Sequence, residues 1–255
     1  MFDIVTPLGP DDVERFIQAV EYTKRNVIGY RNIYVVCPSP VIPAISHVPG
    51  IIPIDESIYP FDLQDLAGHI GPIKRRGWYL QQLLKLYAGF IIPGIAPRWL
   101  VIDGDTFFLK PTRFLEDGAP CYNPGNEYTL SYFHHMSRLH PSLKRVDPAL
   151  SGITHHMMFE SRRVKELFEM VEAHHGSPFW RAFMDCVACD EYERSGASEY
   201  EIYFNYMLIY HRSEIVLRPL RWENVFYVDT SRDLDYISAH EWMHQMFLSS
   251  HRQSA

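Results

Sequence analysis

The strongest constraint on the fold lies in the first 55 residues, where short apolar runs alternate with one amphipathic segment. Phe2 to Pro7 reads as a buried strand. Asp11 or Asp12 follows and can cap a helix over residues 12–26, whose apolar face carries Val13, Phe16, Ile17 and Val20. Asn32 to Cys37 is a second strand, stopped by Pro38, and Ile51 to Ile54 a short third one ending at Asp55-Glu56. Strand, helix, strand in this order predicts a mostly parallel α/β sheet flanked by helices. Functional groups in such sheets lie past the carboxyl ends of the strands, and Thr6, Pro38 and Asp55 fall there.

Nothing in the remaining sequence argues for a second unit. There is no internal repeat and no low-complexity linker, so residues 1–255 read as one domain. Hydrophobic residues at 47% and charged residues at 22% are the balance of a folded globular chain. A formal charge of -7 argues against a general nucleic-acid binder. The one basic run, Lys74-Arg75-Arg76, either meets a diphosphate or faces water. Phe2-Asp3-Ile4-Val5 is acidic where a secretory signal would be basic, and no apolar run is long enough to span a bilayer. The expected location is cytoplasmic, with room for docking at the inner face of a membrane.

Gly77 to Phe90 is a strong helix pattern, ended by Pro93, Gly94 and Pro97. Trp99 to Ile102 is then a short apolar strand that runs directly into Asp103-Gly104-Asp105. Further on, the pattern predicts a short helix near 112–116, a strand near 120–122 and a helix near 129–139. A strand over Ile153–Phe159, helices over Arg162–His174, Pro178–Cys186 and Ser198–Tyr210, and a late strand at Ile215–Leu217 complete the reading.

Asp103 and Asp105 are two residues apart, so extended backbone puts both carboxylates on one side. Gly104 between them would let the chain turn and a ligand approach closely. Two hard oxygen ligands suit Mg²⁺ or Mn²⁺, and such an ion can bridge a diphosphate and absorb charge as it leaves a sugar. The rival reading is a polar turn after a buried strand. Against it, Trp99 to Leu109 is apolar on both sides of the pair, an unusual setting for a solvent-facing turn.

With these residues in view, the chain resembles the GT-A-type nucleotide-diphospho-sugar glycosyltransferases, and more narrowly a poorly characterised microbial group related to polysaccharide glycosyltransferases. The resemblance is carried by Phe2 to Pro7, Gly77 to Lys85, Ile102 to Asp105, Thr154 to Phe159 and Ser198 to Glu201. It implies a GT-A fold, with about residues 1–109 holding the nucleotide and about residues 110–255 the acceptor. Thr6 and Asp55 would lie near the base or ribose, Asp103 near the ribose and donor sugar, and Lys85 near the phosphates or sugar. Asp105 would bind the metal. Each has a plainer rival: Thr6 or Asp55 capping a turn, Lys85 as an exposed helix charge.

The chain has 13 histidines, and His240-Glu241-Trp242-Met243-His244 fits the zinc-protease pattern H-E-x-x-H. Only eleven residues follow His244, and a third ligand would have to come from His251. In the resembled enzymes a C-terminal histidine often completes the metal site, and Asp235 to His240 is similar to that closing segment. His240 is therefore the expected partner of Asp105, and the added nitrogen tilts the ion toward Mn²⁺. His155 and His156 should face opposite ways from a strand, with His155 the one toward donor phosphate or acceptor hydroxyls. His134 and His135 are read as non-catalytic. Cys186-Val187-Ala188-Cys189 lacks a second cysteine pair and reads as two partly buried thiols.

An inverting transferase, the course favoured over a retaining one in which the leaving phosphate assists, needs a carboxylate to deprotonate the acceptor, and Glu199 and Glu201 are the candidates. Ser198 can cap the helix they begin, which would give Glu201 the capping-box position and leave Glu199 the better base. The expected function is metal-dependent transfer of a sugar from a nucleoside diphosphate, UDP favoured, to a glycan or other hydroxyl acceptor. The alternatives are a nucleotidyltransferase, an H-E-x-x-H zinc protease and a non-catalytic carbohydrate-binding module.

Overall fold

A computed structural model describes residues 1–71 and 75–240. Its centre is a five-stranded sheet of β1 (Phe2–Pro7), β2 (Tyr30–Cys37), β3 (Ile52–Asp55), β4 (Arg98–Ile102) and β6 (His156–Glu160). The spatial order is β6-β4-β1-β2-β3; β4, β1, β2 and β3 run parallel and β6 antiparallel. Every residue of β1 is buried, as expected of a parallel strand covered on both faces.

Strand β5 (Thr106–Phe108) leaves the central sheet just after the acid pair and joins a smaller one with β7 (Trp222–Asn224) and β8 (Tyr236–Ser238). Neither β7 nor β8 stands out as a long strand pattern in the sequence, yet β8 decides where the end of the described chain lies. Its antiparallel pairing sets Ser238 opposite Thr106 and so beside Asp105.

Two helices form the middle of the molecule. The first, α3 (Arg76–Ile91), follows α1 (Val13–Asn26) and α2 (Leu63–Ile70). After α4 (Leu130–Leu139), α5 (Ser161–His175) and α6 (Phe179–Asp185) comes the second, α7 (Glu199–Tyr210). Residues 79–88 of α3, save Gln81, and residues 199–208 of α7 are buried, so neither is a one-faced surface helix. Ser198 caps α7 by accepting from the Glu201 amide at 3.2 Å. Gly89 fixes the depth of α3 on the sheet: a Cβ there would stand 2.2 Å from the Trp99 ring.

Several boundaries differ from the sequence reading. The helix expected near 112–116 is two short strands, Thr112–Arg113 and Leu115–Glu116. Thr112 and Phe114 are buried while Arg113 and Glu116 are exposed, the two-residue alternation of extended chain. Asp12 stands at the N-cap of α1 but makes no capping hydrogen bond; a 3₁₀ turn at Pro10–Asp12 leads in instead. Cys37, Cys121 and Cys186 are buried free thiols, whereas Cys189 is exposed. Among the described residues no helix is long and apolar enough to cross a membrane.

Candidate functional site

The carboxyl ends of β1, β2 and β4 open into a cavity of about 850 Å³. Its floor is Asp103, Gly104 and Asp105; one side is the Pro7 to Asp12 turn, another the stripe of α3 from Trp78 to Lys85, and a third the start of α7. This is the position at which open α/β sheets bind ligands.

Asp103 is held from three directions. Its Oδ1 accepts from Lys85 Nζ at 2.7 Å and from the Tyr200 hydroxyl at 2.8 Å, while Oδ2 has a longer contact, 3.4 Å, with His155 Nδ1. Burial alone would raise its pKa, but the Lys85 ammonium outweighs that and holds the carboxyl well below the usual range. Lys85 bridges to the second acid, its Nζ lying 2.6 Å from Glu199 Oε1 and 4.4 Å from the Tyr200 ring centre. Burial opposes the ammonium charge, and the two carboxylates reverse that and push its pKa up. Lys85 is thus a buried ion-pair partner, 4% exposed, not an exposed helix charge.

Asp105 forms a second cluster. Oδ1 accepts from Ser238 Oγ at 3.0 Å, Oδ2 lies 2.7 Å from His240 Nδ1, and the Ala239 amide donates to the Asp105 carbonyl. Burial raises the Asp105 pKa, and the His240 bond more than offsets it, leaving the carboxyl below its ordinary value. For His240, burial lowers the pKa and the Asp105 carboxylate raises it by more, so the net shift is upward.

His155 joins the two clusters. Its φ of 60° is left-handed, so it precedes β6 as a kink and its carbonyl accepts from the Asp103 amide at 2.9 Å. Its ring packs edge-on against Trp222 and lies 4.8 Å from that of His240. His156 turns the other way, among Phe108, Phe114 and Tyr236, where burial drives its pKa down to about 3. The opposite orientation expected of the two histidines is present, although its cause is the kink and not strand alternation.

The remaining expected residues divide. Glu199 lines the cavity, and burial raises its pKa against the lowering pull of Lys85. Glu201 does not: fully buried, it accepts from Ser151 Oγ at 2.5 Å and from Asn205 Nδ2 at 2.9 Å, tying α7 to the 151–153 loop. It belongs to the scaffold, because its position three residues after the cap faces away from the cavity. Asp55 accepts from the Ser57 amide at 2.9 Å and from Ser39 Oγ, the turn-capping role, and its neighbour Glu56 reaches the cavity instead. Thr6 is buried under Gly104 and does not line the cavity; Pro7 to Asp12 take that place. A Cβ at Gly104 would meet Leu8, Thr6 and Phe16 at 3.5–3.9 Å, ordinary contact distance, and its φ is not left-handed, so the turn itself does not require glycine there. From the H-E-x-x-H pattern only His240 lies within the described residues, as from Lys74-Arg75-Arg76 only the two arginines.

Three contributors escaped the sequence reading. Tyr200 and Ser238 donate to the acid pair, and Gln82 accepts from the Glu199 amide at 3.0 Å. Tyr200 could have been sought beside Glu199 on the strength of the matched segment. Ser238 depends on a strand pairing that no local pattern announces.

The donor atoms suit a hard divalent ion: Asp105 brings oxygen, His240 an imidazole, and His155 a buried Nε2 without a hydrogen-bond partner among the described residues. Among the described residues no three His, Cys, Asp or Glu side chains are grouped to hold an ion by themselves.

The architecture is the GT-A fold. A structure titled as galactosyltransferase LgtC in complex with donor and acceptor sugar analogs matches with a TM-score of 0.54 at 11% identity, over 93% of this chain and 86% of that one. A structure of an active-site mutant of LgtC gives 0.50 at 12% identity over the same shares. No curated protein sequence matches the chain. One family profile spans residues 10–245, nearly the whole chain, and the protein therefore belongs to the family described as Family of unknown function (DUF6492).

Proposed function

We propose that the protein is a metal-dependent glycosyltransferase that moves a sugar from a nucleoside diphosphate, with UDP the first donor to test, to a hydroxyl of a glycan or similar acceptor. The observation that carries this reading is the acid pair. Asp103 and Asp105 stand two residues apart on the floor of a large cavity at the carboxyl end of a parallel strand, each fixed by a basic side chain. The GT-A architecture supports the same reading.

Asp105 and His240 would hold Mn²⁺ or Mg²⁺, ions commonly bound through few protein ligands together with substrate phosphates and water. When bound, the ion would neutralise charge on the departing diphosphate. Asp103, locked as a carboxylate by Lys85 and Tyr200, accepts hydrogen bonds from ribose or donor-sugar hydroxyls. Glu199 is the general base. Oε1 is anchored on Lys85, which orients the carboxylate and leaves Oε2 to take the acceptor proton. That assignment gives inversion at the anomeric carbon.

Calorimetric titration of UDP, GDP, CDP and dTDP, each with and without Mn²⁺, tests the reading. Mn²⁺-dependent binding of one nucleotide, lost in Asp105→Ala, is the expected result. Absence of nucleotide binding, with a tightly held zinc lost in His244→Ala, would overturn it in favour of the H-E-x-x-H alternative.

A further inference from the structure

The lysine and arginine charges along the cavity have different fates. Lys85 is committed to Asp103 and Glu199 on the floor. Arg75, at the head of the same helix, also lines the cavity but forms no ion pair with a carboxylate among the described residues. Its partners are neutral: Nη2 donates to Ser195 Oγ at 2.6 Å, Nε to the Arg194 carbonyl at 3.5 Å, and the guanidinium lies 5.0 Å from the Trp78 ring centre. These contacts fix the plane of the guanidinium and leave its charge uncancelled. A guanidinium has five N–H donors, so most remain for a ligand. A planar fork of this kind pairs with carboxylate or phosphate in bidentate fashion.

The position of Arg75 selects which part of a ligand it meets. Arg75 at the N-cap and Trp78, Gln82 and Lys85 within α3 all line the cavity, the first two half-buried and the last two buried. At the α-helical rise, Arg75 stands about 15 Å along the axis from Lys85. The head groups diverge as well: Lys85 meets Asp103 and Glu199, beside the acid pair, whereas Arg75 meets the 194–195 segment ahead of the start of α7. Between the two cations the wall is aromatic, with Trp78 and Tyr132 rings 23° from parallel and their centres 6.4 Å apart. Gly77 opens the same stretch, nothing lying within 4 Å of where its Cβ would be. An aromatic face next to an uncancelled guanidinium matches a sugar ring that carries an anion.

We propose that Arg75 and Trp78 form an acceptor subsite for an acidic saccharide, one bearing a carboxylate or phosphate group. The inference rests on the glycosyl-transfer reading for the word acceptor, but the binding itself is independent of it. Saccharides are therefore titrated into the full chain without nucleotide, following the Trp78 indole N–H resonance, assigned with Trp78→Phe. The probes are methyl glucuronide, methyl glucoside 6-phosphate and methyl glucoside. The expected result is that a charged probe binds about tenfold or more tightly than the neutral one. The tighter of the two charged probes identifies the anion. Arg75→Gln abolishes the preference, Arg75→Lys keeps part of it, and UDP with Mn²⁺ binds Arg75→Gln as it binds the wild type. Equal binding of charged and neutral probes by the wild-type chain overturns the proposal, which holds even if Arg75→Gln fails to fold. So does a tenfold loss of nucleotide affinity in a folded Arg75→Gln, which would assign the cation to the donor. Failure of nucleotide binding alone, with the charge preference intact, would overturn the transferase reading and leave an acidic-saccharide site.

Discussion

The Trp99 indole occupies the space that a side chain at Gly89 would need, and its Nε1 donates to the Lys85 carbonyl at 3.0 Å. One residue thus sets both the distance between α3 and β4 and their relative sliding. Lys85 meets Asp103 because Trp99, four residues earlier on β4, holds the helix there.

Gly89→Ala tests that dependence. The added methyl collides with a fully buried ring and cannot be relieved by a flexible side-chain end. Overpacking of this kind costs about 1–3 kcal/mol. Thermal melting should fall by several degrees, and nucleotide affinity should fall with it; an unchanged melting temperature would remove Gly89 from the account.

The two glutamates of α7 should separate cleanly. Glu199→Gln is expected to lower kcat by roughly 10²–10⁴-fold with nucleotide affinity retained. Glu201→Gln is expected to lower stability, because it loses a buried charged acceptor for Ser151 and Asn205 while leaving the cavity lining intact. Urea denaturation and product formation, measured on both variants, give the two readouts. The reverse pattern would return Glu201 to the chemistry.

Lys85→Met leaves the half-buried Asp103 and the buried Glu199 side by side without their shared cation. Removing one partner of a buried ion pair costs about 3–5 kcal/mol. The variant should be strongly destabilised, and Lys85→Met combined with Glu199→Gln should recover part of the loss. Additive losses in the double variant would show that the pair does not interact.

Two buried histidines make the fold acid-sensitive. Burial lowers His135 to about 4 and His156 to about 3, so both stay neutral in the folded chain at pH values where the unfolded chain protonates them. Below the unfolded histidine value of about 6.5 the unfolded state binds more protons, and stability falls with pH. Each histidine should remove about 2 kcal/mol between pH 6.5 and pH 5. The loss stops once pH drops through the folded values. Denaturation at pH 5, 6 and 7 should show a shallower slope in His156→Phe than in wild type, whereas equal slopes would assign the sensitivity elsewhere.

Local patterns made much of the fold legible. Continuous apolar runs gave β1, β2 and β4, and the spacing of apolar residues gave α1, α3 and α5 within a few positions. The Asp103 to Asp105 segment could be located because a strand period and a change of polarity meet there. What stayed hidden depends on contacts across the chain. Nothing near Glu201 says that Ser151 and Asn205 will claim it, and nothing near Lys85 says that it will be buried between two acids. The 112–116 segment reads as a helix from its own residues because two-residue strands are made by their partners, Val27–Ile28 and Ala119–Pro120, and not by their own propensity.

The antiparallel neighbour of β4 also bears on whether the chain could be taken apart. A fragment ending at Leu109 would retain the acid pair but lose β6, whose five residues pair with Arg98 to Ile102. Trp99, Leu100, Val101 and Ile102 are all buried in the intact chain and would become a bare apolar edge. Such an edge recruits other strands, so the fragment should self-associate. The sheet is stitched across residue 109, and separated pieces would regain a native site only by strand complementation.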